Sequence, residues 1–133
     1  MPRARFFFGI PREYAFSNFH NNRTAAVLIN LIGNGVDALR NGGTITIATQ
    51  IDSNSKDGGE VTCTITDNGT GIPEENLQRI FNPFFTTKRN TGGIGLGLSI
   101  SLSVMKKHNG LITVRSKLGE GSTFKISLPS SRS

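Results

Sequence analysis

Residues 60–67, Glu-Val-Thr-Cys-Thr-Ile-Thr-Asp, alternate polar and apolar side chains. A period of two makes a strand with one buried face, here Val61, Cys63 and Ile65. The same alternation puts Asp67 on that face. A carboxylate that continues an apolar face must find a partner or lose its charge. The chain then turns at once through Asn68-Gly69-Thr70-Gly71-Ile72-Pro73, where Gly69 and Gly71 let another group approach the backbone closely. An acid at the floor of an apolar pocket suits an exocyclic amine such as that of adenine. Asp-Asn-Gly is also an ordinary turn former, and this stretch alone leaves both readings open.

The remaining elements read from the same rules. Residues 24–40 predict a helix, with Val27, Leu28, Leu31, Ile32 and Leu39 at helical spacing, Asn22 as a candidate cap and Gly42-Gly43 as the stop. Residues 44–51 alternate as a strand that carries Ile45, Ile47 and Ile51 on one face. Pro73 and two glutamates open a short helix over 74–80. Residues 98–108 predict a helix that Asn109-Gly110 ends, followed by strands over 111–115 and 122–128. Phe-Phe-Phe-Gly-Ile near the start is a candidate edge strand. Helices flank the strands without strict alternation, which predicts a two-layer α/β sandwich with a mixed sheet. One domain suffices for 133 residues.

Composition narrows the function classes. Fifteen Lys and Arg against nine Asp and Glu leave a net charge of +6. The excess is C-terminal, with six basic residues and one acidic one in 98–133. No run of five like charges occurs, and Phe124 is the only aromatic residue among those basic ones. A solvated basic face is therefore expected rather than a nucleic-acid interface. The longest apolar runs are far too short to span a bilayer, and the first residues do not read as a signal peptide. A single cysteine, Cys63, excludes an internal disulfide and fits a reducing, cytoplasmic setting. One Cys and two distant His do not make a structural zinc site.

Three further stretches carry chemistry. Asn30, Asn34 and Asp37 are four and three residues apart and share one face of the first long helix. Amide oxygens are suitable hard ligands for Mg²⁺, and Gly35 beside them admits a close approach; a plain polar face is the other reading. Gly-Gly-Ile-Gly-Leu-Gly-Leu-Ser-Ile, residues 92–100, opens a helix whose free N–H groups suit phosphate. It is neither a dinucleotide fingerprint nor a Walker loop. Phe-Asn-Pro-Phe-Phe-Thr-Thr-Lys, residues 81–88, sets three aromatics beside Lys88, a point charge suited to phosphate.

Taken in order, these stretches resemble the nucleotide-binding boxes of the GHKL ATPase/kinase superfamily, and most closely the catalytic ATP-binding domain of two-component sensor histidine kinases. Asn-Leu-Ile-Gly-Asn-Gly-Val-Asp-Ala-Leu resembles the asparagine box, Asp-Asn-Gly-Thr-Gly-Ile-Pro the first glycine box, residues 81–88 the phenylalanine box and residues 92–100 the second glycine box. Gly-Glu-Gly-Ser-Thr-Phe-Lys-Ile-Ser-Leu-Pro resembles the closing strand motif. The spelling is most like the nitrogen-regulator type. The resemblance covers residues 24–129, with 1–23 as a lead-in and 130–133 as a tail.

The resemblance implies the Bergerat fold, a mixed and mostly antiparallel sheet on about three helices, with a mobile lid over roughly residues 86–96 anchored by Phe84 and Phe85. ATP and Mg²⁺ are the implied ligands. Asp67 would accept from the adenine amine, with Gly69, Gly71 and Ile72 shaping that pocket and Thr123 reaching the adenine side. Asn34 would bind Mg²⁺, with Asn30 beside it as a second candidate and Asp37 in support. Thr87, Lys88, Gly93, Gly95, Leu96, Gly97 and Leu98 would meet the nucleotide around the lid, and Asn30, Asn34 and Lys88 would carry the chemistry. Gly35 stands where alanine is usual, and Ile94 where a small hydroxyl residue is common.

The implied activity is phosphoryl transfer to a histidine on a separate dimerisation and phosphoacceptor helical domain, with a response regulator downstream. Neither His20 nor His108 has the surroundings of a phosphoacceptor, so the chain reads as an isolated catalytic domain, monomeric and without a membrane segment. Three alternatives stay beside it. One is a hydrolytic ATPase of the gyrase, heat-shock-chaperone or mismatch-repair branch, which needs a Glu where this chain has Asn30. The others are an anti-sigma-type serine kinase and a non-catalytic nucleotide-sensing or docking module.

Overall fold

A computed structural model describes residues 6–8, 22–39, 42–52, 59–83 and 97–129. Strands β1 (Phe6–Phe8), β2 (Ile45–Asp52), β3 (Glu60–Asp67), β4 (Leu111–Lys117) and β5 (Gly121–Pro129) form one sheet in the order β1-β2-β3-β5-β4. Among the described residues only the β1–β2 pair is parallel. Helices α1 (Asn22–Ala38), α2 (Glu74–Leu77) and α3 (Gly97–Lys107) accompany it, giving the two-layer α/β architecture that the sequence predicts.

Register explains the core. The pairing aligns Thr49, Cys63, Ile126 and Ile112 in one row, and Ile47, Ile65, Phe124 and Val114 in the next. These rows face the helices and hold six of the fourteen buried apolar side chains among the described residues, onto which α1 lays Val27 and Leu31 and α3 lays Met105. The opposite face carries Thr46, Thr64, Thr66, Thr113, Thr123 and Lys125. That polar composition is what a sheet with one solvated face requires.

The last row toward the C-terminal end of β3 breaks the pattern. It reads Ile45, Asp67, Ser122 and Ser116 across four strands. The helix-facing side of the sheet thus ends in a polar strip. Asp67 and Ser122 are nevertheless 5% and 6% exposed.

Helix ends follow the sequence signals with small shifts. α3 stops where Asn109 adopts φ 59° and the Gly110 N–H donates to the Met105 carbonyl at 2.7 Å. His108 Nδ1 lies 2.8 Å from the Val104 carbonyl oxygen, which places the ring on the last turn as a cap. The short helix is four residues rather than seven. Strands β4 and β5 each run past the predicted ends, to Lys117 and from Gly121.

Candidate functional site

The site grows from the end of β3. Asp67 Oδ1 accepts the Gly69 N–H at 2.9 Å, closing a tight turn on the carboxylate. Burial pushes the Asp67 carboxyl upward, and the N–H groups of Gly69 and Ser122 pull it back in part. Asn68 points outward, where its Oδ1 accepts the Thr44 N–H at 2.8 Å. Thr70 donates its N–H to the Ala38 carbonyl at the end of α1, and its own carbonyl accepts the Gly119 N–H at 2.7 Å. The glycine turn is therefore clamped between α1 and the β4–β5 hairpin.

The glycines here are dictated by backbone. Gly71 has φ +76°, and a Cβ there would collide with the Lys117 carbonyl. A Cβ on Gly69 would strike the Ala38 carbonyl in the same way. These two residues shape the turn by letting backbones meet. Ile72 packs against the core, and its N–H donates to Ser116 Oγ at 2.8 Å.

The second part of the site lies along α1. Asn30 and Asn34 are half-buried, flanking the buried Leu31 and Gly35, while Asp37 is exposed. Asn30 Nδ2 donates to Ser101 Oγ of α3 at 3.2 Å. A Cβ on Gly97 would lie 2.7 Å from Asn30 Oδ1, so the first turn of α3 abuts that amide oxygen. A groove of about 200 Å³ runs beside this contact, walled by Val27, Ile100 and Val104. Leu98 turns inward onto the core. Asp67 thus marks one end of an α1 surface and the α3 N-terminus marks the other. Five residues separate Asn30 from Gly35, about 7.5 Å of helix rise.

Thr123 needs correction. It pairs with Thr66 and its Oγ1 lies 3.2 Å from Thr66 Oγ1, on the sheet face away from Asp67. The neighbour of Asp67 is Ser122, its register partner. The alternation of Phe124, Ile126 and Leu128, extended back by two residues, points to Ser122 rather than Thr123. Ser116 follows from Ile112 and Val114 in the same way once β4 is extended. Ser101 carried no signal beyond its place one turn into α3. Phe84, Phe85, Thr87, Lys88, Gly93, Gly95 and Leu96, with the expected lid, lie outside the described residues.

The donor set can be tested against the implied metal. Among the described residues no three His, Cys, Asp or Glu side chains group as ligands. Mg²⁺ that rides on phosphate oxygens and waters needs only one or two protein oxygens. The half-buried amides of Asn34 and Asn30 fit that modest demand.

The family described as "Histidine kinase-, DNA gyrase B-, and HSP90-like ATPase" matches residues 20–132. The chain belongs to that family. Within it, the chain is 40% identical over 118 residues to sporulation kinase A of Bacillus subtilis, covering 89% of this chain and 18% of that protein. It is 38% identical to sporulation kinase C of the same organism, over 84% of this chain and 24% of that one. It is 39% identical to the sensor histidine kinase ZraS of Escherichia coli, over 81% and 22%. The chain therefore spans about a quarter or less of the length of these curated relatives. Among solved structures, the catalytic domain of histidine kinase ThkA matches with a TM-score of 0.71 and 30% identity, over 96% of this chain and 79% of that one. Full-length ShkA in complex with AMPPNP matches in fold, with a TM-score of 0.74 and 24% identity, over 98% and 26%. The family's catalytic-domain architecture is the one described above.

Proposed function

We propose that this domain binds ATP with Mg²⁺ and passes the terminal phosphoryl group to a histidine on a separate dimerisation and phosphoacceptor helical domain, which in turn serves a response regulator. The reading places the domain in the cytoplasm, as a monomer when isolated, and keeps the nitrogen-regulator type as its subtype. Residues 24–129 are the proposed catalytic unit. The observation that carries it is the buried Asp67 carboxylate at one end of an α1 surface whose other end is the N-terminus of α3. An acceptor for an amine at one end and helix N–H groups at the other suit a base joined to a phosphate chain. The nucleotide bound in the ShkA structure, AMPPNP, supports that choice.

In the proposed transfer the bond from the γ-phosphorus to the β–γ bridging oxygen breaks. A bond to an imidazole nitrogen forms, and ADP leaves. Such a reaction asks the protein mainly for positioning and charge neutralisation. Mg²⁺ supplies neutralisation of the phosphate oxygens. Asp67 fixes the base end, Asn34 offers an amide oxygen toward the metal, and Lys88 with the residue 93–97 glycines serves the phosphates. Asn30 ties α1 to Ser101 and keeps the α3 N-terminus in place. An amide at residue 30 cannot abstract a proton from water, which favours phosphoryl transfer over hydrolysis.

Calorimetric titration with a non-hydrolysable ATP analogue, with and without Mg²⁺ and beside GTP, tests the binding half. The expected result is Mg²⁺-dependent binding of the adenine nucleotide with GTP much weaker. Labelled ATP mixed with the domain and a phosphoacceptor-helix protein tests the transfer half. Tight ATP binding with no label on any acceptor would reduce the domain to a nucleotide-sensing module.

A further inference from the structure

We propose that Ile45 is a positioning residue for the Asp67 carboxylate, and that it can take this place because residue 35 is glycine. The inference rests on the nucleotide reading above and extends it to two residues that contribute no polar group.

Ile45 and Asp67 are register partners on adjacent strands, both on the helix-facing side. Ile45 is fully buried and Asp67 nearly so. Gly35 lies over both. A Cβ on residue 35 would sit 3.7 Å from Asp67 Cβ and 3.8 Å from Asp67 Oδ2, which are ordinary contacts. The same Cβ would lie 2.7 Å from Ile45 Cδ1, which real carbon atoms do not tolerate. The terminal methyl of Ile45 therefore occupies the place beside the carboxylate that a residue-35 methyl would otherwise fill. The room created by glycine is therefore not empty.

The residue-35 position matters because of where it falls on the carboxylate. Oδ1 is committed to the Gly69 N–H. The oxygen nearest the residue-35 position is Oδ2, and the Ile45 methyl crowds that same position from the neighbouring strand. In the proposed role the methyl limits water on the residue-35 side of a carboxylate that the Gly69 and Ser122 N–H groups already hold. The polar contact to a bound base then depends on an apolar atom one strand away.

The test is a double-mutant cycle read on two nucleotides. One is ATP. The other is purine riboside triphosphate, which lacks the 6-amino group and so makes no use of Asp67. Ile45→Val deletes the terminal methyl, and Gly35→Ala forces it out of place. Each single variant is expected to lower the preference for ATP over the purine analogue by roughly three- to ten-fold. The double variant exchanges one methyl for the other and is expected to regain most of that preference. A merely structural role would weaken both nucleotides equally and leave the ratio unmoved. An unmoved ratio in Ile45→Val, or a double variant at the sum of the two losses, overturns the inference. Should Gly35→Ala alone fail to fold, the inference requires that Gly35→Ala/Ile45→Val fold, and failure of both overturns it. Wild-type protein that binds the two nucleotides equally would instead refute the nucleotide reading itself, an outcome visible before any variant is made.

Discussion

The Ser116 hydroxyl accepts the backbone N–H of Ile72 at 2.8 Å while lying 2.8 Å from both the Gly121 carbonyl oxygen and Ser122 Oγ. One hydrogen and two lone pairs satisfy all three contacts: Ser116 donates to Gly121, and accepts from Ile72 and from Ser122. This hydroxyl joins the exit of the glycine turn to the strand that faces Asp67. Ser116→Ala leaves the Ile72 N–H without its acceptor, at a cost of about 1–3 kcal/mol. Urea titration should show that loss with an unchanged slope. Amide exchange should accelerate at Ile72 and little elsewhere. Unchanged exchange at Ile72 would remove Ser116 from the turn.

Asp67→Asn separates binding from stability. Loss of a charge-assisted hydrogen bond to the adenine amine is expected to weaken ATP by about 1.5–3 kcal/mol, or roughly 10- to 150-fold in Kd. The fold should survive, because burial raises the Asp67 carboxyl above its ordinary 3.8. A raised carboxyl pKa means that the ionised form destabilises the native state. The stability that neutral Asp67 contributes is complete below the unfolded value and is lost as pH rises through the folded one. The amide escapes that loss. The melting temperature of Asp67→Asn relative to wild type should therefore be higher at pH 7 than at pH 3. A variant that instead loses ground between pH 3 and pH 7 would show that the hydrogen bonds from Gly69 and Ser122 outweigh burial.

Most of this architecture is legible in the sequence because it rests on local periodicity. The alternation over 60–67 sets the face of Asp67, and the spacing of Val27 and Leu31 sets the buried stripe of α1. What was not legible depends on pairing between strands. Thr123 and Ser122 are one residue apart, and in a strand one residue is the opposite face. The relation of Ile45 to Gly35 and Asp67 was hidden for the same reason. Gly35 stands out in a helix, but only the sheet register shows whose methyl fills the space. Asn30 illustrates a third case, where the residue was singled out but its bond to Ser101 joins elements 71 positions apart.

Two glycines should respond in opposite directions to alanine. Gly33 is exposed in α1, and nothing lies within 4 Å of where its Cβ would be. Gly33→Ala should raise stability by about 0.5–1 kcal/mol through the lower backbone entropy of the unfolded chain. Gly71 combines φ +76° with a backbone carbonyl in the way. Gly71→Ala should cost more than about 1–2 kcal/mol, the penalty for the left-handed backbone alone. Chemical denaturation of the pair measures both, and a stabilised Gly71→Ala would contradict the described turn.

The two asparagines of α1 should also separate. Asn30 Nδ2 is engaged with Ser101, a residue only 3% exposed, so Asn30→Ala removes a contact between α1 and α3. Asn34 is the proposed metal ligand. Asn34→Ala should lose the dependence of ATP-analogue affinity on Mg²⁺ whatever its melting temperature. Asn30→Ala should lower the melting temperature while its affinity still responds to Mg²⁺. Calorimetric titration of each variant with and without the metal, beside a thermal melt, gives all four results. Reversal of the two phenotypes would move the metal to Asn30, and persistence of the Mg²⁺ response in both would place it on neither. The distinction matters for mechanism. A ligand at residue 34 lies one helical turn closer to Asp67 than one at residue 30, and the metal fixes where along α1 the phosphates are held.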